Sequence, residues 1–117
     1  MEEIVSSDLD IKTCIKTCLK TAYSHVKALT GSKEIVKNLI RNEEISLVIL
    51  SKDLIQQYQD LILMLCKNNN VPVIFLENKS ELAEVFPIKV KKASAIAIKN
   101  FIGESREKAF LMNVINN

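Results

Sequence analysis

Glycine is scarce in this 117-residue sequence, which contains only Gly31 and Gly103. Dinucleotide-binding and Walker-type loops need several closely spaced glycines, because backbone amides must approach a phosphate there. Neither motif can be built from two isolated glycines. We therefore expect no cofactor and no small-molecule substrate.

Reactive side chains are also few. His25 is the single histidine, and no Cys or Asp motif surrounds it, so a structural or surface role is expected rather than a catalytic one. Cys14 and Cys18 are four residues apart on an apolar stripe, and Cys66 stands alone. A zinc site would need paired spacing and a fourth ligand. We predict free thiols, no metal site, no catalytic residue and no enzymatic activity.

Long apolar runs are absent, since none approaches the roughly 18 to 20 residues of a membrane span. The chain opens with Glu2 and Glu3, whereas a signal peptide opens with cations. These features predict a cytosolic or nuclear protein that does not contact a membrane. A chain of this length fits one domain, which we place at residues 10–117 after an N-terminal tail of residues 1–9.

Apolar periodicity is the main positive signal. It predicts helices over residues 10–26, from residue 32 to about 42, from 54 to the asparagine run at 68–70, and over 80–85 and 104–115. Short apolar runs predict buried strands over residues 45–50, 71–76 and 93–98. Alternating helices and strands favour an α/β fold whose mixed or parallel sheet has helices on both faces.

Charge is unevenly distributed along the chain. Residues 11–41 carry seven basic side chains and one acidic, residues 42–88 carry three basic and seven acidic, and residues 89–99 carry four lysines without an acid. Two basic segments around an acidic middle are typical of a phosphate-binding surface, although ordinary solvated faces explain the same pattern.

The second predicted helix has the best-ordered basic residues. Lys33, Lys37 and Arg41 recur every four residues, and Gly31 and Ser32 come just before them. The first amides of a helix are free and its dipole is positive there, so this end suits a phosphate. Glu34 is a candidate acceptor for a base edge. A solvated helix face is the alternative that these residues alone leave open.

Several segments together resemble the kink-turn-binding superfamily of archaeal L-seven-A and eukaryotic L-thirty ribosomal proteins. The resemblance covers most of the chain, in order and spacing, and rests on Gly31-Ser32-Lys33-Glu34-Ile35-Val36-Lys37, residues 45–50, Leu65-Cys66, Val71-Pro72-Val73 and Lys79-Ser80-Glu81-Leu82. Leu19-Lys20-Thr21-Ala22 and Gly103-Glu104-Ser105 look most like its small-subunit, eukaryotic-type branch. The resemblance implies a three-layer α/β/α sandwich around a four-stranded mixed sheet, in a single domain.

The resemblance also implies an RNA site at the start of the second helix and in the loop before the last strand. By position these are residues 31–37 and 85–92, and the expected contacts are Gly31, Ser32, Lys33, Glu34, Lys37, Arg41, Lys89, Lys91 and Lys92. Kink-turn readers carry Asn before the Glu, where this chain has Lys33. A basic residue at this place is similar to the small-subunit branch.

The implied function is that of a structural constituent of the cytoplasmic small ribosomal subunit, in the head at the beak. The expected partners are ribosomal RNA and neighbouring ribosomal proteins, without a homo-oligomer, and assembly in the nucleolus is compatible with this role. Two alternatives remain open at this point. One is a kink-turn-binding protein of a guide-RNA or tRNA-processing particle, and the other is a protein-only regulatory or scaffold α/β module.

Overall fold

Helices and strands alternate along the chain. The structure is a computed structural model that describes residues 10–87 and 94–116. Within these residues the elements are α1 (Ile11–Ser24), β1 (Ala28–Thr30), α2 (Ser32–Ile40), β2 (Leu47–Ser51), α3 (Gln56–Asn68), β3 (Val73–Leu76), α4 (Lys79–Val85), β4 (Ala95–Ile98) and α5 (Arg106–Asn116). The predicted tail at residues 1–9 lies outside the described residues.

The four strands form one mixed sheet in the order β1-β4-β2-β3. Strands β2 and β3 are parallel, with Val48 opposite Val73, whereas β4 is antiparallel to both β1 and β2. The ends of β1, β2 and β3 therefore meet the beginning of β4 at one edge of the sheet. We call this the carboxyl edge, and its residues are Gly31, residues 51–53, residues 77–79 and Ser94.

Two apolar cores lie on the two faces of the sheet. One contains buried side chains of α1, α4 and α5, and the other contains those of α2 and α3. All residues of β2 and of β4 are buried, because these central strands are covered on both sides. This arrangement confirms the α/β class and the three-layer α/β/α sandwich with a four-stranded mixed sheet.

Helix α1 begins where its sequence predicts. The side chain of Asp10 accepts a hydrogen bond from the Thr13 amide at 2.7 Å, which satisfies one of the free donors of the first turn. The helix ends at Ser24, two residues before the predicted end. Val26 has a positive φ of 58°, a conformation that a β-branched residue rarely adopts and that stops the helix.

Strand β1 was missed by periodicity. It has only three residues, Ala28 to Thr30, and its outer part is partly exposed, so neither an apolar run nor a long alternation marks it. Its place depends on distant partners, since Ala28 lies opposite Ile98 and the Lys99 amide donates to the Lys27 carbonyl at 2.7 Å. The four-strand count followed from the family resemblance alone.

No helix in residues 10–87 or 94–116 is long and apolar enough to cross a membrane.

Candidate nucleic-acid interface

Gly31 sets the backbone at the start of α2. Its φ of 104° and ψ of 135° lie in a region that L side chains rarely adopt, so a glycine is required by conformation. A Cβ atom at this position would meet nothing within 4 Å. The Gly31 amide donates to the Ala95 carbonyl at 2.9 Å, which fastens the start of α2 to the beginning of β4.

The first turn of α2 has no side-chain cap. Its first intrahelical bond runs from the Ile35 amide to the Gly31 carbonyl, at 3.1 Å. In the part of the chain that the structure describes, the amides of Ser32, Lys33 and Glu34 make no hydrogen bond. Three donors and the positive end of the helix dipole therefore point the same way, an arrangement suited to an anion.

Exposed charges extend this site along α2. Lys33, Glu34 and Lys37 are exposed, while Ile35 and Leu39 on the other side of the helix are fully buried or nearly so. Glu34 is in the first turn, and its backbone carbonyl accepts a hydrogen bond from the Asn38 side chain at 2.8 Å. Its carboxylate takes no part in that bond.

The predicted site residues are not all equally close together. Gly31, Ser32, Lys33 and Glu34 lie together at the carboxyl edge, and Lys37 comes one turn later on the same side. Arg41 is the C-cap residue, about 12 Å along the axis from Lys33 at 1.5 Å per residue. It therefore lies at the opposite end of α2 from the free amides.

The lysines of the second predicted part of the site lie outside the described residues, whereas Val85 and Phe86 at its beginning are described and buried. Lys89, Lys91 and Lys92 belong to residues 88–93, which lie between the described residues Pro87 and Ser94. The start of β4 is in direct contact with the start of α2, because the Ala95 carbonyl accepts the hydrogen bond from the Gly31 amide. The chain thus enters β4 directly beside the free amides of α2.

Helix α4 begins at the same edge with a different arrangement. The Asn78 side chain accepts from the Glu81 amide at 3.0 Å, and a Glu81 carboxylate oxygen accepts from the Glu77 amide at 3.1 Å. The Asp53 carboxylate, which comes after β2, accepts from the Lys79 amide at 3.2 Å. Side chains of the protein therefore satisfy the backbone donors at the start of α4. Sequence periodicity did not predict these hydrogen bonds.

Asp53 is held in its charged form. The neighbouring Ser51 side chain, and then the hydrogen bond from the Lys79 amide, lower the pKa of this carboxyl below its ordinary value of 3.8. Ser51 itself is fully buried. Three carboxylates, those of Asp53, Glu77 and Glu81, thus lie at this end of the edge, and Lys52 pairs with Glu77 at 2.9 Å. The acidic side chains outnumber the basic ones there, which disfavours phosphate.

The other candidates behave as structural groups. His25 is exposed, and its Nδ1 lies 2.9 Å from the Thr21 carbonyl at the end of α1. All three cysteines are free and buried, and burial raises the pKa of Cys18 and of Cys66 to about 11. This confirms the predicted packing role. Among the described side chains, no group of three or more His, Cys, Asp or Glu is arranged to hold a metal ion.

A family model described as the ribosomal protein L7Ae/L30e/S12e/Gadd45 family matches residues 13–107. The chain belongs to this family. Small ribosomal subunit protein eS12 of Plasmodium falciparum (isolate 3D7) is 30% identical to it, over 89% of this chain and 82% of that protein. Membership in the L7Ae/L30e/S12e/Gadd45 family confirms the resemblance seen in the sequence, and with it the prediction of a structural, non-enzymatic protein.

A solved structure has a fold similar to that of this chain. A protein with unknown function from Bacillus halodurans C superposes with a TM-score of 0.65, over 88% of this chain and 97% of that one. The two sequences are 22% identical, so this likeness concerns the fold.

Proposed function

We propose that this chain is a structural component of the small ribosomal subunit that binds ribosomal RNA through the start of α2. The supporting observation is the combination of three amides without a partner among the described residues, a conformationally required Gly31 and exposed Lys33 and Lys37, in a member of a ribosomal protein family. Similarity to a small-subunit protein supports the choice of particle.

The contact is of a kind that needs no chemical step. A phosphate oxygen of the RNA accepts hydrogen bonds from the amides of residues 32–34. The ammonium groups of Lys33 and Lys37 neutralise neighbouring phosphates, which releases counterions. Glu34 accepts from a base edge beside them, and Gly31 and Ser32 let the RNA backbone approach. Arg41 extends the cationic stripe towards the other end of the helix.

The finer placement is part of the same proposal. Residues 10–117 act as one RNA-binding domain, with Lys89, Lys91 and Lys92 contributing beside the start of β4. The domain resides on cytoplasmic ribosomes, in the head of the small subunit at the beak, next to other ribosomal proteins and after assembly in the nucleolus. Lys33, where kink-turn readers carry Asn, favours backbone contacts over reading of a kink-turn.

The test is RNA binding by charge-neutralised variants of the full chain. In the α2 pair, Lys33→Gln and Lys37→Gln are combined. In the control pair, Lys52→Gln and Lys67→Gln remove two charges that belong to neither basic segment. Binding to small-subunit ribosomal RNA is measured between about 50 and 200 mM salt. At about 0.7 to 0.9 per lost phosphate contact, the α2 pair should flatten the slope of log K against log salt by roughly 1.4 to 1.8.

The expected loss of affinity for the α2 pair is on the order of tenfold to a hundredfold, since charge-assisted contacts are the strong ones. The control pair should bind like the unchanged protein. Equal slopes for both pairs would refute the site. Co-sedimentation with small subunits after a high-salt wash tests the particle, and preferential binding to an isolated kink-turn RNA would contradict it.

A further inference from the structure

We infer that the outward face of α1 is a second RNA-contacting surface, formed by Lys16, Lys20 and Tyr23, which holds the backbone and a base of a second RNA segment. This inference extends the RNA-binding role proposed above but uses none of its residues. The surface belongs to the layer of α1, α4 and α5, whereas the first site lies on the α2 and α3 layer.

Helical spacing brings the side chains of this face together. Lys12, Lys16 and Lys20 succeed one another every four residues, and Tyr23 comes three residues later. At 3.6 residues per turn these four positions lie within an arc of about 80°. All four are exposed, and the buried side of α1 is formed by Cys14, Ile15, Cys18, Leu19 and Ala22. No acidic residue occurs between Ile11 and Ser24.

Among the described residues, Lys12 is the one lysine of this row that pairs with carboxylates. The Lys12 ammonium lies 3.5 Å from a Glu81 carboxylate oxygen and 3.7 Å from one of Glu84, both on α4. Within residues 10–87 and 94–116, neither Lys16 nor Lys20 pairs with a carboxylate. Like charges four apart on a helix repel by about 0.2 to 0.5 kcal/mol, so an anion between the two is favoured.

Tyr23 gives this cationic face an aromatic component. Its ring meets Phe86 edge-on, with centroids 5.6 Å apart and the planes at 72°, and the residue is still 40% exposed. A ring held in place by its neighbour loses little entropy when a base stacks on it. Lysines beside a fixed, accessible aromatic ring fit a nucleotide, which has both a phosphate and a flat base, better than they fit an acidic peptide.

The two surfaces are too far apart for one phosphate group to reach. Each helix layer adds about 10 Å to the sheet, so α1 and α2 are separated by roughly 20 Å. RNA bound along α1 is therefore a different segment from RNA bound at the start of α2. The protein would act as a bridge that fixes two segments relative to each other.

The experiment repeats the salt titration of the full chain with small-subunit ribosomal RNA. The new variant combines Lys16→Gln and Lys20→Gln, and the control pair at Lys52 and Lys67 is the same as before. Glutamine keeps the helix propensity of lysine, so α1 should remain folded. The α1 pair should flatten the slope by roughly 1.4 to 1.8, and the control pair should leave it unchanged.

The two surfaces are separated by combining variants. If both contact RNA, the losses of the α1 pair and of the α2 pair add in log K. An α1 pair that behaves like the control, while the α2 pair weakens binding, overturns this inference and leaves the first proposal standing. The reverse result supports the α1 surface and overturns the α2 site.

Substitution of Tyr23 tests the stacking component. Tyr23→Phe keeps an aromatic ring and should bind like the unchanged protein, whereas Tyr23→Leu should lose about fivefold or more in affinity, because stacking on an aromatic ring contributes about 1 to 3 kcal/mol per base. Equal binding by the two variants would show that no base stacks there and would overturn the nucleotide assignment of this face.

Discussion

Helices α2, α3 and α4 each follow a strand that ends at the carboxyl edge of the sheet, and the first turns of α2 and α4 differ most in charge and capping. At α4 the Asn78 side chain, the Asp53 carboxylate and the Glu81 carboxylate each accept a backbone amide. At α2 the N-cap is Gly31, which has no side chain, and the next three amides make no bond within the described residues. The backbone donors at the start of α4 are satisfied by side chains of the protein. At the start of α2 they have no partner among the described residues, and we call this the open helix start.

The difference separates stability from binding. Free amides at a helix start are satisfied by side chains, water or a ligand, and at α4 side chains of the protein take this role. The charge balance differs as well. Asp53, Glu77 and Glu81 outnumber Lys52 and Lys79 at the start of α4, whereas Lys33 and Lys37 outnumber Glu34 on α2. Damage to the α4 start should therefore cost stability, whereas damage to the α2 start should cost RNA binding.

The largest effect in this comparison is expected for Gly31→Ala. A residue with a Cβ is strained at a φ of 104°, so stability should fall by about 1 to 3 kcal/mol in denaturant unfolding. No atom lies within 4 Å of the new Cβ, which makes backbone strain the cause. RNA affinity should fall too. Gly103→Ala, at a φ of 72°, is the control that should lose stability and keep its RNA affinity.

Asn78→Ala opens the satisfied helix start. Loss of an N-cap typically costs about 1 kcal/mol, with a range of about 0.5 to 2 kcal/mol, and urea unfolding should report this value. RNA binding by the folded protein should not change, because the acidic α4 start does not contact phosphate. A loss of affinity as large as that of the α2 pair would contradict the division between the two helix starts.

Ser32→Asp tests the open helix start in the other direction. A carboxylate in the first turn interacts favourably with the helix dipole, so the free energy of unfolding should rise by about 0.3 to 1 kcal/mol. The same carboxylate repels phosphate, and RNA affinity should drop. Ser32→Asn, which lacks the charge, provides the comparison. Higher stability together with unchanged RNA binding would mean that the amides of α2 do not contact RNA.

The smallest effect is expected at Asp53 and depends on pH. The pKa of this carboxyl is lowered in the folded protein, so its contribution to stability is present above its ordinary pKa of 3.8 and is lost as the pH falls through the lower, folded value. Unfolding free energies of the unchanged protein and of Asp53→Asn should therefore differ at pH 6 and converge as the pH falls through the folded pKa. A difference that does not change with pH would rule out the hydrogen bond from the Lys79 amide to Asp53.

The elements of the fold that were predicted correctly are those with a local sequence pattern. Five helices and the three longer strands were located because each buries a stripe or a run of apolar residues, and the predicted start of α1 coincides with its capping residue Asp10. Strand β1 was not predicted from the local pattern, because three residues are too few to show an apolar periodicity and they pair with residues about seventy positions away. The end of α1 at Ser24 was not predicted, because no local sequence signal indicates a positive φ at Val26.

The site shows the same division between local and long-range information. Gly31, Lys33 and Lys37 were predicted from their spacing, because a helix start and a four-residue period are local features. The network at α4 was not predicted, since Asp53 and Lys79 are 26 residues apart and are brought together by the parallel pairing of β2 with β3. The contact of Gly31 with Ala95 likewise required the complete sheet.

Hydrogen–deuterium exchange of the full chain, with and without small-subunit ribosomal RNA, tests most directly whether RNA contacts the open helix start. Peptides that cover residues 31–37 and residues 78–84 report the two helix starts in one experiment. We expect RNA to slow amide exchange in residues 31–37 and to leave residues 78–84 unchanged. Slower exchange at residues 78–84 alone, or no change at residues 31–37 at saturating RNA, would contradict RNA binding at the start of α2.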